Sequence, residues 1–141
     1  MKAAALLLAC CACTNVRLIT DYDQVLDQRI SALAERTESF LADMEASSGT
    51  PPGTYEQNRA FYRDAKATIA ALRLRTEAAG QAELLTQHLQ LLDDNIENLR
   101  KLHEMGQEGG LKPIVLGPAR DALRAQFRAI QKLEMELRRG A

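Results

Sequence analysis

Apolar residues recur along most of the chain at alternating steps of four and three, the spacing that lines one face of an α-helix. The first run is Leu26, Ile30, Leu33, Thr37, Phe40 and Met44, with Tyr22 one turn earlier. Thr20 or Asp21 stands where a cap is expected, and Asp21 with Gln24 has capping-box spacing. Ser47-Ser48-Gly49-Thr50-Pro51-Pro52-Gly53 ends this run with residues that favour turns over helix. A second run, Tyr62, Ala65, Ile69, Leu72, Thr76 and Ala79, follows a capping Thr54, with Tyr55 and Phe61 near its start and Gly80 placed to close it. The third spans Gln81 to Met105 on Leu85, Leu89, Leu92, Ile96 and Leu99, widened by Leu84, Leu91 and Leu102. Gly106 stops it. The stretch Leu111-Lys112-Pro113-Ile114-Val115-Leu116 is apolar but interrupted by proline, and reads as a connection folded over one end. Gly117-Pro118 is predicted to open the fourth helix, because proline suits the first helical position. Its seam is Leu123, Phe127, Ile130, Leu133 and Leu137, and Arg138 and Arg139 complement the negative end of its dipole.

Helices of similar length predict an all-α fold, an antiparallel up-down-up-down four-helix bundle over residues 21–141. Leu33, Phe40, Ile69, Leu92, Ile96, Phe127 and Ile130 sit mid-seam and are predicted to be its core. Charge supports this order. Residues 21–46 hold seven acids and two bases, 54–79 five bases and three acids, 81–105 five acids and two bases, and 118–140 six bases and three acids. With sequential helices adjacent, every edge of a square bundle then sets opposite signs side by side, which disfavours rival arrangements.

Composition adds two exclusions. The formal net charge of −1 over 141 residues lacks the basic excess of a nucleic-acid binder, and 46% hydrophobic residues is too many for a disordered tail. The remaining information is at the front. Met1-Lys2 precedes an unbroken apolar and small run from Ala3 to Cys13. A positive start and a short apolar stretch describe a secretory signal, and the run is far shorter than the ~20 residues that span a bilayer. Cys10, Cys11 and Cys13 are the only cysteines, so no disulfide framework is expected in the helical domain.

Leu7-Leu8-Ala9-Cys10 resembles a bacterial lipobox. The resemblance implies a signal peptide over residues 1–9, a covalent lipid on Cys10 and a tether over residues 10–20. Cys13, with Ala12 before it, is the alternative lipid site. Attachment to the membrane follows, and no other cofactor is implied. Cys11, where an Asp tends to retain lipoproteins of this class at the inner membrane, implies the periplasmic face of the outer membrane if the organism has two.

Candidate chemistry in the helical domain is sparse. His88 and His103 lie ~22 Å apart along one helix, too far to share a metal, and neither has the Glu three residues earlier that di-iron bundles use. No metal site is expected. His88 and Asn95 lie beside the third seam and are the candidate ligand-binding pair. Arg120, Arg124, Arg128 and Lys132 repeat every four residues and are the candidate interaction stripe, for anionic headgroups or an acidic partner, or else a solvated face complementing the acidic helices. Asp21 and Asp23 suit a helix N-terminus. No nucleophile with its base, and no phosphate-cradling glycine loop, is present. The expectation is a non-enzymatic binding or assembly factor of the cell envelope, docking an envelope protein through a helical surface. The alternative is a carrier or sensor that holds a small ligand in the bundle core near His88 and Asn95.

Overall fold

The computed structural model describes residues 23–79 and 83–140. It is an all-α, antiparallel up-down-up-down four-helix bundle of α1 (Gln24–Ala46), α2 (Tyr55–Ala78), α3 (Glu83–Met105) and α4 (Pro113–Gly140). Sequential helices are neighbours and α4 closes the ring against α1. Each predicted mid-seam residue is buried, and Ile30, Leu72, Leu85, Leu89, Leu92 and Ile96 have no exposed surface at all. Thr37 interrupts the α1 seam without cost, because its hydroxyl donates to the Leu33 carbonyl at 2.7 Å.

The helix ends depart from the sequence reading in instructive ways. Asp23 is the α1 cap: its Oδ1 accepts from the backbone N–H of Val25 at 3.0 Å and of Leu26 at 3.3 Å. Arg75 of α2 clamps the same carboxylate. Thr20 and Asp21, expected at that place, lie outside the described residues, as do Gly80, Cys10 and Cys13. Ala79 is exposed, because it caps α2 rather than extending its seam.

The largest correction is in α4. It begins at Pro113, so residues 113–116 are its first turn and not a loop. The Lys112 carbonyl accepts from Val115 at 2.9 Å and Leu116 at 3.2 Å, and Pro113 fills the position whose N–H needs no partner. Pro118 therefore sits inside the helix. The hydrogen bond it cannot make would have gone to Ile114, whose side chain is 82% exposed, on an outward turn that water can solvate. The seam near the α4 C-terminus also shifts: Glu134 is buried while Leu133 is only half-buried.

The α1–α2 and α3–α4 connections lock together over one end. Gly49 N–H donates to the Gly109 carbonyl at 3.1 Å, and the Ser48 hydroxyl donates to the Leu111 carbonyl at 3.0 Å. Gly110 adopts φ +61°, and a side chain there would run into the Gly53 carbonyl. No helix among the described residues is long and apolar enough to cross a membrane.

Candidate interaction surface

Among the described residues, ion pairs bridge the α1–α4, α1–α2 and α2–α3 grooves. Across α1–α4, Arg124 makes a two-pronged contact to Glu38 at 2.6 and 2.8 Å, and Arg120 reaches Glu45 at 2.9 Å. Across α1–α2, Arg36 meets Asp64 at 2.9 Å and Arg75 meets Asp23. Across α2–α3, Lys66 and Arg100 share Glu97 at 2.8 and 2.9 Å. These contacts hold the Glu38 carboxyl below its usual range and push Glu97 down to about 2, chiefly through the hydrogen bonds from Arg124 and Arg100 respectively.

The expected basic stripe is thus divided by the structure. Arg120 and Arg124 are consumed by Glu38 and Glu45 of α1. Lys132 reaches Glu136 on its own helix, at 4.0 Å, and Arg128 lies exposed. A second cationic surface, which sequence reading did not single out, lies on α2 and α3. Arg59, Arg63, Lys66 and Arg100 line an open groove of about 620 Å³ with Tyr55 and Tyr62. Each of those cations is already paired, with Glu56, Asp64 or Glu97.

The α3–α4 groove differs in kind. It is an open groove of about 320 Å³ lined by Asn95, Asn98, Leu99, Leu102, Ile114, Val115, Pro118, Ala119 and Ala122, with no charged side chain among them. Leu84, Leu91 and Leu102, read as widening the core seam, instead face this side at 49%, 50% and 39% exposure. The reason is angular: at 100° per residue they sit about a quarter turn away from the Leu85–Leu92–Leu99 line. Toward the α3 N-terminus the groove is tied by one polar bridge. The Gln126 amide donates to His88 Nδ1 and to the His88 carbonyl, each at 2.9 Å. His88 and Asn95 therefore do not converge on one cavity. Asn95 belongs to the groove, while His88 is engaged by α4.

Two buried polar residues escaped the sequence reading. His103 is fully buried, with the Tyr62 hydroxyl donating to Nδ1 at 2.8 Å and Nε2–H donating to the Gly53 carbonyl at 2.8 Å. Burial pushes the imidazole below its ordinary pKa and the Tyr62 phenol above its own, so both are neutral hydrogen-bonding struts. They tie α2 and α3 to the Pro51–Gly53 turn. The signal was available, since His103 continues the 4–3 spacing of the α3 seam beyond Ile96 and Leu99. Glu134 is 1% exposed, and neither carboxylate oxygen has a hydrogen-bond partner among the described residues. Burial, then the negative charges of Asp27 and Asp23, push its pKa up to about 7.

Among the described residues no three His, Cys, Asp or Glu side chains are grouped to hold a metal ion. Comparison with known proteins places no other chain beside this one: no protein-family model, no curated protein and no solved structure matches it.

Proposed function

We propose that this protein is a lipid-anchored lipoprotein of the bacterial envelope that acts without catalysis, as a binding or assembly factor docking through its α3–α4 face. One observation carries the docking surface: the stretch of the α3–α4 groove beside Asn95 and Leu102 is lined by apolar and uncharged polar residues, whereas ion pairs bridge the other three grooves. Exposed contiguous apolar surface on a small protein marks a contact site. The anchor rests on the lipobox-like Leu7-Leu8-Ala9-Cys10 and on the short apolar run before it. A tether over residues 10–20 would let the bundle reach partners up to ~35 Å from the lipid. The carrier reading is less well supported. Asn95 lines a surface groove rather than a core cavity, and His88 is tied to Gln126.

The test is capture from crosslinked intact envelopes, with mass spectrometry of the mature N-terminus. Expected are a lipid on Cys10 and a captured envelope protein that is lost with Leu91→Glu/Leu102→Glu but kept with Arg124→Glu/Arg128→Glu. A lipid on Cys13 would move the anchor by three residues. An unprocessed soluble chain beginning at Met1 would overturn the anchor, and capture that survives the double Leu change would overturn the docking surface.

A further inference from the structure

The outward side of α3 carries a second 4–3 repeat, offset from the core seam. Its members are His88, Leu91, Asn95, Asn98, Leu102 and Met105. All are half-buried or exposed. A helix with one apolar line in its own core and a second, heptad-spaced line outside is built to pair with another helix as well. We propose that the occupant of this face is a second copy of the same chain, the two α3 helices packing antiparallel about a two-fold axis beside Ile96 and Glu97. This rests on the reading of the α3–α4 face as an interaction surface.

The pairing follows from register and charge. In an antiparallel arrangement the seam closes in symmetric layers. Leu91 meets the second copy's Leu102, Asn95 meets its Asn98, and His88 meets its Met105. The Asn95–Asn98 layer at the centre matches amide donors to amide acceptors. Such a polar layer lowers affinity but fixes orientation and register. Asp94 and Lys101 flank the seam, each one residue before a seam position, and both are exposed. Neither belongs to the Lys66–Glu97–Arg100 cluster of the α2–α3 groove. Antiparallel packing sets Asp94 opposite the second copy's Lys101, twice by symmetry. Parallel packing would instead carry these residues of the two copies to opposite flanks of the seam, where they could not pair. Ala119 and Ala122 of α4 line the groove's far wall, small enough for an incoming helix to seat at the usual 8–10 Å spacing.

Native mass spectrometry of the full chain released from detergent micelles reads the assembly directly. At about 10 µM a micromolar dimer is well populated, and the wild type is expected to give twice the chain mass. Leu102→Glu buries a carboxylate at two symmetric places and should weaken pairing by at least about a hundredfold, with helicity by circular dichroism unchanged. Asp94→Lys should weaken it about tenfold, and Asp94→Lys/Lys101→Asp should restore it, because the pair is reversed but still complementary. A merely structural role for either residue would give no such rescue. A dimer indifferent to Leu102→Glu, or a double swap no better than Asp94→Lys, overturns the proposal. A monomeric wild type whose captured envelope partner is still lost with Leu91→Glu/Leu102→Glu overturns self-pairing alone and leaves the interaction surface standing.

Discussion

The two grooves on either side of α4 contrast sharply although one helix supplies a wall of each. Toward α1, α4 turns Arg120 and Arg124, and α1 answers with Glu38 and Glu45 at hydrogen-bonding distance. Toward α3, it turns Ala119, Ala122, Pro118 and Val115, and α3 answers with Leu102, Asn95 and Asn98. The first groove is finished within the chain. Arg124 and Arg120 pair with Glu38 and Glu45 across it, so a newcomer would have to displace those contacts. The second is left open, with apolar surface still in contact with water and the Gln126–His88 bridge near one end. Charge complementarity within a bundle therefore separates the grooves closed by ion pairs from the one lined by uncharged residues.

The largest effect that sharpens this contrast separates the core from the open groove by a single residue. Leu92→Ala removes a fully buried side chain and should cost about 2–5 kcal/mol in denaturant unfolding. Leu91→Ala, next along α3 but facing the groove, should change stability by under about 0.5 kcal/mol. Both are best measured in the Leu102→Glu background, where self-association does not add to apparent stability. Equal costs at the two positions would break the assignment of Leu91 to the surface.

The next effect belongs to the α1 side of α4. Glu134 is packed there against α1 without a hydrogen-bond partner among the described residues, facing Asp27 and Asp23, and its pKa is raised to about 7. A carboxyl raised in the folded state binds its proton more tightly folded than unfolded. Its contribution is therefore fully present below the unfolded value of 4.5 and is lost as pH rises toward about 7. Glu134→Gln should raise stability by about 1–3 kcal/mol at pH 8 and change it little at pH 4. A stability gain equal at both pH values would show that packing rather than ionisation limits the site.

Smaller again is the Gln126 bridge. Gln126→Ala should cost about 1 kcal/mol, since it removes two part-buried hydrogen bonds to His88. A larger loss would mean that the open groove is held together by this contact. The smallest effect concerns the ion pairs themselves. Arg124→Glu/Arg128→Glu should lower the urea midpoint slightly at low salt, and 1 M salt should erase most of that difference, because the screening length there falls to about 3 Å. Glu38 is held below the usual carboxylate range, so its share is present at neutral pH and fades as pH drops through the folded value.

Much of this architecture was legible in the sequence because helical seams repeat. The α1 line from Leu26 to Met44 and the α3 line from Leu85 to Leu99 could be read residue by residue, and the alternation of acidic and basic helices gave their order. The miss at Pro113 has a clear cause: two prolines, at 113 and 118, both fit a first helical turn, and only packing of Leu116 into the core decides between them. Glu134 was hidden because Leu133 beside it is the better apolar residue in isolation. The open groove was partly visible. Leu84, Leu91 and Leu102 stood out, but a wide apolar stripe reads the same whether its edge is covered by a neighbouring helix or left bare. The basic repeat on α4 was visible as four residues, but its division into paired Arg120 and Arg124 and exposed Arg128 depends on where Glu38 and Glu45 fall on α1.

A photocrosslinker scan along α4 in intact cells decides between the two grooves. Ala119 and Ala122, which line the α3–α4 groove, would be replaced in turn, and so would Arg124, Arg128 and Lys132 of the basic stripe. Specific adducts are expected from the alanine positions, a second copy of the chain among them, and none from the basic positions. Adducts confined to Arg124, Arg128 and Lys132 would contradict an open α3–α4 face and make the basic stripe the working surface.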